Sequence, residues 1–342
     1  MLKRDEPKRR GLSNSERRKL LSTKLNELPL KIRGSHLEPS IDRLYTELNK
    51  AGIAFRPGTY LSDGWGCPSG IPIIGIPFYL ADPAIYQVVN EFIDPAPRDD
   101  AEIIRYLRHE CGHALNYAYL LYKEPDWEKT FGLYSKPYKD NYKAIPFDSR
   151  FVRQSSGWYA QKHPDEDFAE SFAVWLTPNS RWRQIYANTL ALNKLLHIDE
   201  LARLYGQKTP CITGGELDRP LSELNVTLAK WCRMMARTGQ RKIVLPDIIN
   251  EDLRWLFPDA EGDPAVSIFQ ANSRQLVHEV HNWTGVNRDL LGSLTHELSK
   301  RVETLELKIE PDKNTERITN LAIFISTLAM NYQYSGKFVK ND

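Results

Sequence analysis

The sequence predicts an α+β protein that is predominantly helical, with a small antiparallel sheet and a helical C-terminal lobe. Three observations support this prediction. From residue 181 onward, apolar residues recur at helical spacing almost to the end of the chain. Residues 54–80 are instead rich in β-branched and aromatic residues, which favours strands. Between these regions, residues 103–121 carry an apolar stripe with the period of an amphipathic helix.

Composition places the chain among globular proteins. Of its 342 residues, 41% are hydrophobic and 26% are charged, which is enough apolar material for one large or two ordinary domains. No segment approaches the roughly 18 apolar residues of a membrane span. The four cysteines are scattered without a C-x-x-C pair, and the N-terminus lacks the apolar stretch of a secretory signal. We therefore expect a reducing, cytoplasmic location.

Positive charge is concentrated at the N-terminus. Residues 1–33 contain eleven Lys or Arg against four Asp or Glu, although the net charge of the whole chain is only +2. We interpret residues 1–35 as a basic leader that is partly disordered, with a helix near residues 15–27. Binding of nucleic acid by this leader is a less favoured interpretation.

The turn-forming segment 210–220 is the best candidate for a domain boundary. It separates a first domain at 36–210 from the helical C-terminal lobe at 211–342. In the first domain we predict helices at 37–51, 83–92 and 164–176, and strands within 54–61 and 71–80. Farther along the chain we predict helices at 183–196, 221–237, 246–256, 265–281, 287–305 and 314–334.

The second predicted strand contains two prolines. Pro72 and Pro77 cannot donate ladder hydrogen bonds, which predicts that this strand lies at an edge of the sheet. An extended peptide could pair with such an edge, and an edge without a binding role is an equally favoured interpretation.

Residues 108–114 read Arg-His-Glu-Cys-Gly-His-Ala and place the pattern His-Glu-x-x-His on a predicted helix. His109 and His113 are four residues apart, so their imidazoles share one helical face and can bind one metal ion. Neutral imidazoles are good ligands of Zn²⁺, and a catalytic site needs a third protein ligand and an open position for water. Glu110 is placed where a general base would act on that water. The motif therefore predicts a catalytic zinc site.

The third ligand is expected from the predicted helix at 164–176. Glu166 and Glu170 are four residues apart and share one face of this helix. In one class of zinc peptidases a glutamate from a later helix completes a His₂Glu site, which favours Glu166 as the ligand. Glu170 would then orient a ligand imidazole by a hydrogen bond. A solvated acidic helix face is the alternative for this pair, and Asp167 and His163 are the alternative ligands.

Other residues of metal-binding type fit a zinc site less well. His278 and His281 are three residues apart but have no further ligand cluster near them in the sequence. Cys111 lies inside the motif, but it belongs to the apolar stripe of the helix and is therefore predicted to be a core thiol.

The segments HECGH and WYAQKHPDEDFAESFAVWLTP resemble a bacterial family of zinc-binding metallopeptidases. The likeness extends over about residues 40–335 and leaves out the basic leader. It implies a zincin-like core in the first domain. A more distant likeness is to the gluzincin catalytic domain of anthrax lethal factor, which has a tyrosine seven residues before its ligand glutamate. That likeness implies that Tyr159 stabilises the oxyanion. Many gluzincins have an aspartate where this chain has Glu170.

Together the motif and the resemblance predict a zinc-dependent peptidase or amide hydrolase with one Zn²⁺ per chain. His109, His113 and Glu166 would hold the ion, Glu110 would be the base, and Tyr159 would stabilise the oxyanion. The expected partner is a peptide or protein substrate. The alternative is a non-catalytic adaptor that is stabilised by metal and binds partners through its helical lobe and basic leader. An intact Glu110 favours the enzyme, because a purely structural site needs no base.

Overall fold

The computed structural model describes residues 12–93, 99–139, 142–237, 243–259 and 261–338. Helices predominate and the sheet is small, as the sequence predicts. The helices are α1 (Asn14–Ser22), α2 (Leu37–Lys50), α3 (Pro83–Asn90), α4 (Asp100–Ala118), α5 (Pro125–Phe131), α6 (Pro164–Leu176), α7 (Trp182–Ile185), α8 (Leu190–Tyr205), α9 (Leu228–Arg237), α10 (Ile249–Leu256), α11 (Val266–Thr284), α12 (Arg288–Thr304) and α13 (Asn314–Ser335). The strands are β1 (Gly58–Ser62), β2 (Ile73–Pro77), β3 (Asp263–Pro264) and β4 (Lys308–Ile309). Among the described residues, none of the helices combines the length and the apolar character that a membrane crossing requires.

The chain forms two compact units, and each contains two segments of sequence. The first unit comprises residues 1–121 and 204–236, and the second comprises residues 122–203 and 237–342. Part of the predicted basic leader is helical, because α1 begins at a capping box made by Ser13 and Glu16. The disorder predicted for the leader falls partly on residues 1–11, which lie outside the described residues.

In the first unit, α4 packs against α2 and β2. A buried ion pair joins the two helices, since the Arg108 guanidinium donates to both carboxylate oxygens of Glu47 at 2.7 Å. Such a two-point contact fixes the rotation of one helix against the other. The rotation of α4 decides which way its two histidines face.

The main sheet differs from the prediction. β1 and β2 pair in parallel, with Gly58 beside Ile73 and Ser62 beside Pro77, so the antiparallel arrangement predicted for these strands is wrong. The segment that connects β1 to β2 includes Gly66, which forms an antiparallel bridge with Gly75 of β2. The backbone of Gly75 is therefore already paired on that side, which leaves less open edge for a peptide than the sequence suggests. The antiparallel pair is the much shorter β3–β4.

The second unit contains a core made by its C-terminal helices. α11 packs against α12 and α13, and α12 also packs against α13. Their shared core includes the fully buried residues Leu291, Leu294, Leu298, Val302, Leu321 and Ile325. These positions recur at three- and four-residue intervals on α12 and α13, as expected for helices that bury one face.

Two predicted helices are shorter or broken in the structure. Residues 183–196 do not form one helix, because Asn188 takes a left-handed conformation with φ of 62° between α7 and α8. Residues 221–237 contain a 3₁₀ turn at Leu221–Glu223 and then α9. The segment between them is extended, because Leu224 and Val226 accept backbone hydrogen bonds from the segment that follows α1. Tertiary pairing thus replaces the first turns of the predicted helix.

Candidate metal centre

The helix that carries the His-Glu-x-x-His motif, α4, begins at Asp100 and contains most of the predicted apolar stripe. The Asp99 carboxylate caps its N-terminus by accepting a hydrogen bond from the Glu102 backbone N–H at 2.8 Å. At the other end, the Ala118 carbonyl accepts from the backbone N–H groups of Cys211 and Ile212. The predicted apolar stripe is buried throughout: Ile103, Ile104, Leu107, Cys111, Ala114, Leu115, Ala118 and Leu121. Burial of this stripe fixes the face on which the histidines lie.

The two motif histidines face one another on α4. Their Nε2 atoms are 3.2 Å apart and both side chains are buried. Two nitrogens bound to one tetrahedral Zn²⁺ at the usual bond length would be about 3.4 Å apart. The separation in the structure is thus close to the one that a shared ion requires. Glu110, between them in sequence, is also buried, at 6% exposure.

Helix α6 begins at His163 and contains the predicted third ligand. The His163 Nδ1 accepts a hydrogen bond from the Asp165 backbone N–H, and Pro164 occupies the first turn. The Nε2 of His163 bonds the Lys136 carbonyl, and its ring stacks on Tyr138. Both ring nitrogens therefore already have partners, which argues against His163 as the alternative metal ligand.

Glu166 is buried in the first turn of α6. Its Oε1 accepts a hydrogen bond from the Tyr159 hydroxyl at 3.0 Å. His109, His113 and Glu166 each offer one ligand atom, and these atoms all lie within 4.8 Å of one another. Two imidazoles and one carboxylate are a donor set typical of catalytic Zn²⁺, so this group could hold such an ion.

Two further acids of α6, Glu170 and Asp167, have partners within the second unit. Both carboxylate oxygens of Glu170 accept from Ser155, one from its backbone N–H at 2.7 Å and one from its hydroxyl at 2.6 Å. The predicted bond from Glu170 to a ligand imidazole stays a prediction. Asp167 pairs with the Lys194 ammonium at 2.6 Å, and burial nevertheless raises the pKa of Asp167 to about 7. Asp167, the other alternative ligand, is thus held in an ion pair with α8.

Tyr159 follows two residues with left-handed backbone. Gly157 has φ of 74° and Trp158 has φ of 59°, which a non-glycine residue adopts only when its surroundings enforce it. Here the Tyr142 hydroxyl donates to the Gly157 carbonyl, and the Arg153 guanidinium lies over the Trp158 ring at 4.6 Å. Contacts of both residues thus hold the turn that presents Tyr159.

The remaining residues of metal-binding type lie as follows. Cys111 is fully buried, and burial raises the pKa of its thiol well above the usual range, as expected for a core thiol. His281 donates from Nδ1 to the Val286 carbonyl, and His278 contacts the Arg288 guanidinium. No metal-ligand group within the described ranges contains either histidine.

Two residues beside the candidate site were not predicted from the sequence. Ser155 holds Glu170, and the Lys162 ammonium lies 3.2 Å from the Tyr159 hydroxyl. Lys162 is three residues after Tyr159, and the two are joined by a backbone hydrogen bond at the end of a 3₁₀ turn. A turn predicted for residues 156–161 would have placed the two side chains together, but the irregular aromatic sequence gave no such signal. Ser155 had no distinguishing signal in the sequence.

Comparisons of the chain with models of protein families, with curated proteins and with solved structures find no match.

Proposed function

We propose that the chain is a zinc-dependent peptidase or amide hydrolase, with one Zn²⁺ held by His109, His113 and Glu166. The observation that supports this most is the grouping of one ligand atom from each of these three side chains within 4.8 Å. The 3.2 Å between the imidazole nitrogens adds support, because it is close to the spacing of two ligands on one ion. We also propose a zincin-like core and membership of the bacterial metallopeptidase family that the motifs resemble.

Glu110 is the proposed general base. A bound Zn²⁺ would lower the pKa of a water molecule and polarise the substrate carbonyl. Glu110 adjoins the proposed ligand His109 in sequence. Its side chain is buried, so few bulk water molecules can form hydrogen bonds with its carboxylate. It takes a proton from the attacking water and later gives that proton to the leaving amine. A site that served stability alone would have no need of this carboxylate.

Tyr159 is the proposed donor to the carbonyl oxygen. Its hydroxyl is already oriented as a donor, because it bonds the Glu166 carboxylate at 3.0 Å. During hydrolysis the same hydroxyl would donate to the oxygen on which negative charge develops. A donor of this kind typically lowers the barrier by about 3 kcal/mol.

The experiment is digestion of a mixed peptide library by the full-length, zinc-loaded chain, with and without a chelator. We expect cleavage that the chelator abolishes. In E110Q, kcat/KM should fall by about 100-fold or more while the protein keeps one Zn²⁺ per chain. The matched control is E128Q, which changes an exposed glutamate on α5 and should cleave like the wild type. Unchanged cleavage by E110Q would contradict its role as base. A wild type that holds zinc and cleaves nothing would favour the adaptor.

A further inference from the structure

The Tyr159 hydroxyl contacts two charged side chains of the second unit. The Lys162 Nζ lies 3.2 Å from its oxygen, and the Glu166 Oε1 lies 3.0 Å from it. Lys162 immediately follows the 3₁₀ turn at Ser156–Gln161, and its backbone N–H donates to the Tyr159 carbonyl at 3.0 Å. The backbone of the turn therefore brings Lys162 close to Tyr159, so that the ammonium can reach the phenol oxygen.

The chemistry of these groups decides where the hydroxyl proton points. An ammonium group has three donors and no acceptor, so the phenol oxygen must accept the hydrogen bond from Lys162. The proton of Tyr159 cannot point at Lys162 and is donated elsewhere. In this structure it is donated to Glu166. Lys162 thus keeps Tyr159 in the role of donor.

The surroundings of the ammonium favour a lasting contact with Tyr159. Its Nζ lies over the ring of Tyr159 at 5.0 Å from the centroid and near the ring of Tyr138 at 5.6 Å. Within the described part of the chain, Lys162 has no ion pair with a carboxylate. The ammonium donates its hydrogen bond to the phenol oxygen of Tyr159 instead.

We infer that Lys162 is a positioning residue that acts through Tyr159, an inference that rests on the proposed function. Its ammonium orients the Tyr159 hydroxyl toward the substrate carbonyl oxygen. As the hydroxyl proton is shared with that oxygen, negative charge grows on the phenol oxygen, and the ammonium stabilises it. Lys162 forms no bond with the substrate in this scheme, and the proton that is shared belongs to Tyr159.

The kinetic test is a double-mutant cycle in the zinc-loaded, full-length chain with K162M, K162R, Y159F and the double variant. We expect K162M to lower kcat about tenfold while KM changes less than about twofold, since a hydrogen bond from a charged donor is lost. K162R, which keeps the charge and the donors, should restore most of this loss. The double variant should match Y159F, because Lys162 acts only through the hydroxyl. K143M, which changes an exposed lysine of the same unit, should match the wild type. Additive losses in the double variant would overturn the inference, because Lys162 would then act on the substrate directly.

A second test does not depend on activity. Tyrosines are labelled with ¹³C at Cζ, and the Tyr159 signal is assigned by its absence in Y159F. We expect the Tyr159 signal to move in K162M and to stay near its original position in K162R and K143M. An unmoved signal in K162M would overturn the inference whatever the activity. If K162M moves the Tyr159 signal but the wild type has no hydrolytic activity, the contact between the two residues is supported and only the proposed function is contradicted.

Discussion

The His281 imidazole lies where a side chain at Gly157 would have to lie. A Cβ atom built on Gly157 would be only 2.3 Å from the Cε1 of His281, and the backbone there has φ of 74°. α11 thus packs directly on the turn that precedes Tyr159, with no room for a methyl group. The close packing at this turn therefore requires a glycine at position 157 opposite a histidine that lies more than 120 positions later in the sequence.

Replacing Gly157 with alanine should destabilise the chain. The methyl group would clash with His281, and alanine would be forced into a left-handed backbone conformation. We expect G157A to lower the free energy of unfolding by about 2–4 kcal/mol, measured by urea denaturation. The control is G292A on α12, where a Cβ atom meets nothing within 4 Å and the backbone is helical. The free energy of unfolding of G292A should be about 0.5–1 kcal/mol higher than that of the wild type. A G157A variant as stable as the wild type would show that the packing is not tight.

His281 should make stability depend on pH. Burial lowers the pKa of His281 to about 4 in the folded chain, whereas an exposed histidine has a pKa near 6.5. The unfolded chain therefore binds more protons between these values, and stability that is fully present above about pH 6.5 is lost as pH falls toward 4. Between pH 7.5 and 4.5 we expect the wild type to lose roughly 2 kcal/mol more than H281Q, by urea denaturation at each pH.

The control for this prediction is H296Q. His296 is an exposed residue of α12, so H296Q should keep the pH dependence of the wild type. Parallel pH curves for H281Q and the wild type would contradict the assignment.

The buried ion pair between Lys194 and Asp167 should contribute strongly to stability. Lys194 also donates to the Arg150 carbonyl at 2.6 Å, so its loss leaves the buried Asp167 carboxylate and this carbonyl without their donor. We expect K194M to lower the free energy of unfolding of the zinc-free chain by about 3 kcal/mol. K300M removes an exposed pair with Glu297 and should cost less than about 0.5 kcal/mol. Equal effects of the two substitutions would contradict the importance of the buried pair.

Local signals in the sequence predict parts of this structure well. The limits of α6 follow from Pro164 at its start and from Thr177-Pro178 after its end. The start of α4 follows from Asp99 as cap. In both cases the deciding groups lie within one turn of the helix end, so no tertiary contact is needed to locate it.

Features that depend on distant contacts could not be predicted. The parallel pairing of β1 and β2 depends on the path of the segment between them, where Gly66 pairs with Gly75. The need for a glycine in the left-handed turn before Tyr159 comes from the packing of His281 against it. Neither pairing leaves a periodic signal in the sequence, because each joins residues that are not neighbours along the chain. The histidines and Glu166 could be proposed as ligands, but Ser155 and Lys162 become visible only when the turns are folded.

The most direct test of the central proposal is the zinc content of the purified full-length chain after dialysis, measured by elemental analysis of the wild type and H109A, H113A and E166A. We predict one Zn²⁺ per chain in the wild type and a loss of most zinc in each of the three variants. E297A, which removes a partly exposed carboxylate on α12, should keep one equivalent. A full equivalent of zinc in E166A, with a fold like that of the wild type, would contradict the assignment of Glu166 as the third ligand.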